Sequence, residues 1–576
     1  MESESTITKS YIKNNEMKRI LFLFATLVLF NTAVSAQAPL KGKILKLDFR
    51  TAIGERTGSS PSISLSGISN KSSLSILAFE KALEKAAKDE SIGMIFMTPD
   101  QFSGSTAAAE EIRKSLEKFR ASGKPIVSYS TYLGQGNYYL ASVADKVFMN
   151  PAGEGSFMGL SSQMMFYKDL LDTLGLNMQL IRHGKYKSAG EPYIRNDISP
   201  ENREQYTVML RSIWTSLLED IAASRKTTVE ALDALADNLT LRSAQSWKDN
   251  GLVDELAYRD EMEKYLCMAF GKKNIKDVKF VTISDYAQKA DKVSGAKKIA
   301  VVYANGEIGE GSDVSGTKLS RTLAQVRQDE SIAAVVFRVN SPGGEVVASE
   351  LIKREILLLK KAKPLVASYG GYAASGGYLI SSHCNRIFAN RTTLTGSIGV
   401  FGMIPSYGAA LRKHLHINPV TVGTNAHSDG MSGVRDLDEK ELEWNQASIE
   451  SVYESFVSSV AESRGKTVEA VDSIAQGRVW AGRDAIGIGL VDEIGTLTDA
   501  IEYVAKEAGL GSKYGLVTYP AYESFNIKDL LSSKPEKEPL ISIETPEELR
   551  PMLRILQKKP AGAMIYALPE AVVTIR

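Results

Sequence analysis

The sequence predicts an α/β protein made of two tandem, duplicated domains with mainly parallel sheets and flanking helices. Three observations lead to this fold class. The chain has 576 residues, which is more than one hydrophobic core accommodates. Blocks of sequence recur in the same order at a spacing of about 240 residues. Within each copy, short β-branched runs alternate with segments of helical spacing.

The internal repeat covers most of residues 40–265 and 297–505. The stretch "DESIGMIFMTPDQFSGS", from Asp89, corresponds to "DESIAAVVFRVNSPGGE", from Asp329. Near the end of each copy, "GLVDEL" corresponds to "GLVDEI". The units of solenoid proteins are only about 20–50 residues long, so a repeat of this length indicates a duplicated domain.

The second copy shows the predicted elements most clearly. The runs "AAVVFRVN" and "KPLVASY" are typical of buried strands, and "EVVASELIKREILLLKKA" between them has helical spacing. Further on, "LEWNQASIESVYESFVSSVAESRG" predicts a long amphipathic helix that ends at Gly465. Strand–helix–strand order implies right-handed βαβ units and parallel pairing.

The first 36 residues have the layout of an export signal. The stretch "MKRILFLFATLVLFNTAVSAQ" begins at Met17, an alternative start, and places Lys18 and Arg19 before an apolar run. The small residues that end at Ala36 form a cleavage pattern. Without cleavage, the apolar run would anchor the chain in a membrane. In both cases we expect the body of the protein to be exported.

The repeat sets the other predicted boundaries. Residues 37–265 form the first copy, 266–296 a connector, 297–515 the second copy and 516–576 a C-terminal extension.

Composition excludes several classes of function. The formal net charge is +1, so no global basic field indicates nucleic-acid binding. The two cysteines, Cys267 and Cys384, have no partner at a metal-ligand spacing. We therefore expect no metal site, no cofactor and no disulfide framework.

The two copies differ where chemistry would occur. In "SYGGYAASGGYLIS" of the second copy, Ser375 stands where the first copy has Gly136. The loop "NSPGG" of the second copy has no counterpart in the first. Conversely, Lys187 in "GKYKSAGEPY" of the first copy faces Ala426 of the second. Two half-sites that complement each other predict one composite site.

A serine hydroxyl is a poor nucleophile unless a base removes its proton. None of the five histidines lies in a recognisable hydrolase motif. A lysine can act as the base if burial lowers its pKa from about 10.4 toward neutrality, a change of about 4 kcal/mol for 3 units. Lys185, two residues before Lys187, is the alternative base. The amide of Gly376 and one from Gly343 or Gly344 could form an oxyanion hole.

The motifs "VNSPGG", "YAASGGYLIS", "TGSIGV" and "GKYKSAGEPY" resemble those of the signal peptide peptidase A family (protease IV) in its long, duplicated form. The likeness extends from about residue 40 to 515. It implies a Clp/crotonase-like fold and a membrane-associated serine protease with a Ser/Lys dyad. Residue by residue, it implies Ser375 as nucleophile and Lys187 as general base. Ser397 would orient the lysine, and Gly343, Gly344 and Gly376 would form the oxyanion hole.

The resemblance also implies partners and location. The substrates would be signal-peptide remnants and other unfolded apolar peptides, and the assembly would be a homotetramer. The protein would lie on the periplasmic side of a bacterial inner membrane, anchored or peripheral. Two alternatives stay open at this point: a crotonase-like enzyme acting on acyl thioesters, and a catalytically inactive scaffold of the same fold.

Overall fold

The computed structural model describes residues 38–56, 58–64, 67–288, 297–511, 513–520 and 565–567. The predicted signal segment and most of the C-terminal extension lie outside these residues. In this described part of the chain, no helix combines the length and the apolar composition needed to cross a bilayer.

The described residues contain twenty-one strands. They are β1 (Lys43–Leu47), β2 (Ala52–Gly54), β3 (Gly58–Ser64), β4 (Gly67–Ser75), β5 (Ile92–Met97), β6 (Ile126–Gly134), β7 (Lys146–Ser156), β8 (Asn177–His183), β9 (Glu255–Leu256), β10 (Phe280–Thr282), β11 (Lys298–Asn305), β12 (Ile332–Ser341), β13 (Gly344–Glu345), β14 (Leu365–Ala374), β15 (Arg386–Ala389), β16 (Leu394–Gly396), β17 (Val400–Ser406), β18 (Val479–Ala481), β19 (Glu493–Ile494), β20 (Gly515–Tyr519) and β21 (Ile565–Ala567).

Eighteen α-helices accompany them in the same described part. They are α1 (Ile76–Lys88), α2 (Thr106–Arg120), α3 (Gln135–Ala141), α4 (Lys168–Leu174), α5 (Glu191–Ile194), α6 (Pro200–Arg225), α7 (Val229–Asp237), α8 (Ala244–Asp249), α9 (Arg259–Ala269), α10 (Ile283–Gln288), α11 (Gly316–Gln328), α12 (Val346–Ala362), α13 (Gly376–Ser381), α14 (Gly408–Leu415), α15 (Glu439–Arg464), α16 (Val468–Ile474), α17 (Gly482–Ala485) and α18 (Leu497–Glu507). Short 3₁₀ helices lie at Pro99–Gln101 and Ile275–Asp277.

Two large sheets carry the fold. The first has the order β10-β1-β5-β6-β7-β9, and every pair in it is parallel. The second has the order β18-β16-β14-β12-β11-β20, with β15 between β14 and β19, and only its β16–β18 pair is antiparallel. The path β10-β1-β5-β6-β7-β9 thus recurs as β20-β11-β12-β14-β15-β19. The predicted α/β class with duplicated, mainly parallel domains is confirmed.

The predicted elements of the second copy are present. Strand β12 is buried at all but two of its positions, as expected for a central strand covered by helices on both faces. Helix α15 begins with a capping box at Asp438 and ends at Gly465, whose φ of 61° lets the chain leave the helix in the left-handed conformation.

The predicted boundaries differ from the sheets at two places. In the segment predicted as a connector, residues 266–296, strand β10 pairs in parallel with β1 and extends the first sheet. Strand β20, which crosses the predicted boundary at residue 515, pairs with β11 and extends the second sheet. Short segments without strong apolar periodicity become edge strands because they pair with a preformed core strand.

A buried ionic network joins the two copies. Arg338, on β12, is 1% exposed and donates to Glu111 of α2 at 2.7 Å and to Glu55 at 2.7 and 3.0 Å. Asn390 also donates to Glu111, at 2.8 Å. A buried charge of this kind is tolerated only when it is paired and hydrogen-bonded, so the network ties the first copy to the central strand of the second.

A smaller sheet crosses between the copies, with the order β13-β21-β17-β8 and antiparallel pairing throughout. Strand β8 belongs to the first copy and β17 to the second, and they pair over seven residues each. This pairing brings the loop after β8 toward the second sheet.

Candidate active site

Ser375 lies at the point where β14 ends and α13 begins. Its φ is 56°, its side chain is fully buried, and its amide donates to the carbonyl of Gly396 at 2.8 Å. A left-handed φ in a residue other than glycine costs free energy, of the order of 1 kcal/mol or more, and often marks a functional site.

The small neighbours of Ser375 have a steric reason. A Cβ added to Gly376 would lie 2.7 Å from Ser349 Oγ, and one added to Gly377 would lie 2.6 Å from the carbonyl of Ser341. The helix that begins after Ser375 therefore packs against the glycine-rich loop at a distance that only glycine allows.

Lys187 follows β8 and reaches across to the second copy. Its Nζ donates to Ser375 Oγ at 2.8 Å, to Ser397 Oγ at 3.0 Å and to the carbonyl of Ser397 at 3.1 Å. All three side chains are at most 2% exposed. The residue predicted as the base therefore contacts both the predicted nucleophile and the predicted lysine-orienting serine, within a single chain.

Lys185 lies elsewhere. It is exposed, and its Nζ stands 5.3 Å from the centroid of the Tyr186 ring, a cation–π contact at the surface. Of the two lysines that the sequence offered, Lys187 is the one beside Ser375.

A tight turn after α16 supports the loop that carries Lys187. Gly477 has a φ of 84°, and an added Cβ would lie 2.5 Å from Lys187 Cβ. The amide of Gly477 donates to the carbonyl of Ile398 at 2.8 Å, and Tyr186 donates its amide to Gln476 at 3.0 Å. These contacts position the lysine backbone by close packing. The sequence analysis did not identify Gln476 and Gly477. The glycine in "SIAQGR", which follows the helix, was the one sequence feature that could have indicated this turn.

The glycine loop lies beside the serine. Gly343 and Gly344 have φ values of 108° and 156°, and a Cβ on Gly344 would overlap the carbonyl of Ile308 at 1.8 Å. A Cβ placed on Gly376 would be 3.2 Å from the amide nitrogen of Gly344. The amide of Gly343 donates to Ser341 Oγ at 3.2 Å. The loop thus passes close beside Gly376, and of its two predicted donors the amide of Gly343 already has an acceptor in Ser341.

The network around Arg338 is a second feature that sequence reasoning missed. Arg338 interrupts the apolar run "AAVVFRVN", and a charged residue inside a buried strand was the available signal. It stands three residues before Ser341, so the network holds the end of β12 from which the glycine loop departs.

One group of three potential metal ligands occurs among the described residues, namely His427, Asp438 and Glu441. Arg435 donates to both carboxylate oxygens of Glu441, at 2.8 Å each. The guanidinium therefore already neutralises this carboxylate.

A buried serine that accepts a hydrogen bond from a buried lysine, beside a glycine-rich loop on an α/β scaffold, is typical of serine hydrolases. Comparison with known proteins agrees. The model of Peptidase family S49 matches residues 118–269 and 358–511, which lie in the two copies. The chain belongs to this family and is a serine protease.

Two curated relatives show how far the similarity extends. Protease 4 of Salmonella typhi is 37% identical over 450 residues, which are 76% of this chain and 72% of that protein. The chloroplastic serine protease SPPA of Arabidopsis thaliana is 32% identical over 514 residues, or 85% of this chain and 73% of that protein. Among solved structures, ClpP1 from Listeria monocytogenes aligns with 34% of this chain and 92% of its own, at 20% identity and a TM-score of 0.23.

The family match and the two curated relatives confirm the predicted membership in the signal peptide peptidase A (protease IV) family.

Proposed function

We propose that this protein is an exported, membrane-associated serine endopeptidase that cleaves signal-peptide remnants and other unfolded apolar segments. The observation that carries the proposal is the contact of 2.8 Å between Lys187 Nζ and Ser375 Oγ in a buried site. Burial disfavours the ammonium form of a lysine, so this geometry suits a neutral amine that accepts the serine proton.

The proposed reaction proceeds in two steps. Neutral Lys187 accepts the Ser375 proton, the alkoxide attacks the peptide carbonyl, and the oxyanion is stabilised by the amides of Gly376 and Gly344. The protonated lysine then donates its proton to the amine of the departing peptide fragment. The other fragment stays bound to Ser375 as an acyl-enzyme.

In the second step Lys187 takes a proton from water, the hydroxide attacks the ester, and the proton returns to Ser375. Ser397 holds the lysine amine throughout. No metal or cofactor enters these steps.

An extended substrate would lie between β13 and β17. Strand β13 begins at Gly344, beside Gly376, and β17 begins three residues after Ser397. The chain's own strand β21 pairs antiparallel with both of them. A peptide that formed the same main-chain bonds would be held as an added strand, with its carbonyl groups near the serine.

The relatives and the predicted signal segment support the finer parts of the proposal. The segment from Met17 predicts export to the periplasmic side of a bacterial inner membrane, where the substrates arise. Assembly as a homotetramer is part of the same proposal. The alternative of a crotonase-like acyl-thioester enzyme is disfavoured by membership in a peptidase family.

The experiment compares hydrolysis of a fluorogenic peptide by the wild type, Ser375→Ala and Lys187→Met. Each substitution is expected to lower kcat by a factor of about 10³ or more, because nucleophile and base act as a unit. Lys185→Met, which alters a neighbouring exposed lysine, is the matched control and should keep near wild-type activity.

A serine-reactive phosphonate should label the wild type and the Lys185→Met variant at Ser375. An equimolar mixture of the two inactive variants should stay inactive, because the contact lies within one chain. Full activity of Ser375→Ala, or absence of labelling together with absence of peptidase activity, would contradict the proposal.

A further inference from the structure

Gln205 is a buried side-chain amide on α6 that takes part in no step of the proposed reaction. It belongs to the first copy and is 4% exposed. Its Nε2 donates to the carbonyl of Tyr186 at 3.0 Å and to Ser188 Oγ at 2.9 Å. These two residues flank Lys187 in the chain. One amide group therefore holds the main chain before the lysine and the side chain after it.

The same amide also contacts the second copy. Its Oε1 accepts from the amide of Val479, on β18, at 3.2 Å. In the pairing of β18 with β16, Val479 lies opposite Gly396, which precedes Ser397. The amide of Ser397 in turn donates to the carbonyl of the residue before Val479, at 2.7 Å. Gln205 thus joins the loop that carries Lys187 to the strand beside the serine that accepts from its amine.

The partners of Gln205 require an amide at this place. The carbonyl of Tyr186 needs a donor and the amide of Val479 needs an acceptor, so only one orientation of the side chain satisfies both. The nitrogen also donates to Asn202 Oδ1 at 2.9 Å. A carboxylate has no donor and an apolar side chain has neither group, so neither could join the two segments in this way.

The duplication separates this role from the common fold. Helices α6 and α15 have 26 residues each and end at the arginine of "AASRK" and "AESRG", which are matching blocks of the repeat. Gln205 therefore corresponds to Trp444, which is 68% exposed. Lys187 likewise has no lysine at its matching place in the second copy. The amide is present in the copy that has the lysine and absent from the copy that lacks it, so the common fold does not require it.

The charged groups beside the loop have partners of their own. Arg182 donates to the lysine's own carbonyl at 2.8 Å. Three pairs of opposite charge or of hydrogen-bonded groups lie along the loop, namely Arg182 with Glu191, His183 with Glu450 and Arg478 with Glu204. None of these six residues is hydrogen-bonded to the Gln205 side chain. Replacement of the amide therefore leaves these pairs in place.

We propose that Gln205 is a positioning residue for Lys187, which fixes the loop against β18 so that Nζ lies between Ser375 and Ser397. It transfers no proton and contacts neither serine. The inference rests on the proposed function, because the position of the amine affects the rate only if Lys187 is the base. Without the amide the loop can move away from β18, which misplaces the amine and admits water to it.

The test replaces Gln205 by methionine, which has an unbranched side chain of similar length but cannot donate a hydrogen bond. Hydrolysis of a fluorogenic peptide is measured from pH 6 to pH 10. At pH 7, kcat is expected to fall about tenfold, since small displacements of reacting groups have large effects, and KM to stay within about twofold. A lysine exposed to water is neutral only at higher pH, so the midpoint of the pH–rate profile should rise by about one unit.

A milder variant and a matched control accompany it. Ser188→Ala removes one acceptor of Gln205 and should shift the pH midpoint in the same direction with a smaller loss of kcat. The control is Ser212→Ala, on the same helix. Ser212 Oγ donates to Asp484 of the second copy at 2.6 Å, so it also joins the copies, but it lies seven residues further along α6. The control should keep the wild-type kcat and pH profile.

The possible failures are distinguishable. If Lys187→Met is inactive but Gln205→Met has the kcat and pH midpoint of the wild type, the positioning role is refuted and the dyad stands. A fully active Lys187→Met would refute the proposed function and this inference with it. Equal losses in Gln205→Met and Ser212→Ala, with unchanged pH profiles, would show that Gln205 only joins the copies. If Gln205→Met does not fold, as judged by circular dichroism, an unchanged pH profile in Ser188→Ala refutes the proposal.

Discussion

At the scale of residues, the site depends on backbone geometry as much as on side-chain chemistry. Ser375 adopts a left-handed φ that its type disfavours, and glycines stand wherever the chain must approach it. Gly477 is the clearest case, because its Cα lies against the backbone of Lys187 and no side chain fits between them. The position of the amine is therefore set by a residue that takes no part in the reaction.

Gly477→Ala is expected to lower kcat by about 10²-fold, because the added methyl group must displace Lys187, and small displacements of reacting groups have effects of this size. The matched control is Gly465→Ala, since Gly465 has a similar φ of 61° but no atom within 4 Å of an added Cβ. The control should lose about 1 kcal/mol of stability and keep its activity. Equal kcat values for the two variants, measured by peptide hydrolysis, would show that Gly477 does not position the lysine.

At the scale of elements, helices α1 and α18 join the two copies through a buried carboxyl group. Glu80 of α1 is 6% exposed and accepts a hydrogen bond from Thr498 Oγ1 of α18 at 2.5 Å. Desolvation by burial, and next the nearby Glu111, raise the pKa of Glu80 to about 8. The folded protein therefore binds a proton that the unfolded chain releases near pH 4.5, so this contribution to stability is complete below pH 4.5 and is lost as the pH rises toward 8.

Glu80→Gln is expected to reduce the fall in the free energy of unfolding between pH 5 and pH 8, measured by urea denaturation. Each unit of pKa shift corresponds to about 1.4 kcal/mol, so the change in slope is measurable. Glu84→Gln serves as the control on the same helix, because Lys81 and Lys88 lower the pKa of Glu84, even against partial burial, and it stays ionised throughout this range. An identical pH slope in Glu80→Gln and the wild type would refute the assignment.

At the scale of the whole molecule, the proposed substrate position is one that the chain itself fills. Strand β21 lies between β13 and β17, where it forms main-chain pairs on both sides. A peptide substrate that binds as an added strand must displace it. If the substrate binds as proposed, strand β21 would compete with it for this place.

A chain shortened after Pro520 is expected to show a lower KM for peptides, with kcat little changed, because the competing strand is gone. The truncation keeps β20, which completes the second sheet. A synthetic peptide with the sequence of residues 560–572, added to the shortened chain, should restore the higher KM, and a scrambled peptide is the control. An unchanged KM after truncation would argue against competition in solution.

The sequence by itself determined the duplication, the α/β class and the residues of the half-sites. These features are local or repetitive. They are the strand and helix periods, a serine among small residues that only the second copy has, and a lysine that only the first copy has. Comparison of the two copies identified Ser375 and Lys187, because each differs from the residue at the matching place of the other copy, whereas Ser397 was identified by the family resemblance of "TGSIGV".

Only the tertiary structure decided how distant parts meet. It placed Lys187 rather than Lys185 beside Ser375, and brought Gly477 against the lysine, since both depend on the path of a loop across 188 and more residues. It also showed that Arg338 is buried with Glu111 and Glu55, a pairing between residues far apart in the chain. Such contacts carry no local pattern, because their free energy comes from close packing and desolvation that exist only after the two copies have folded against each other.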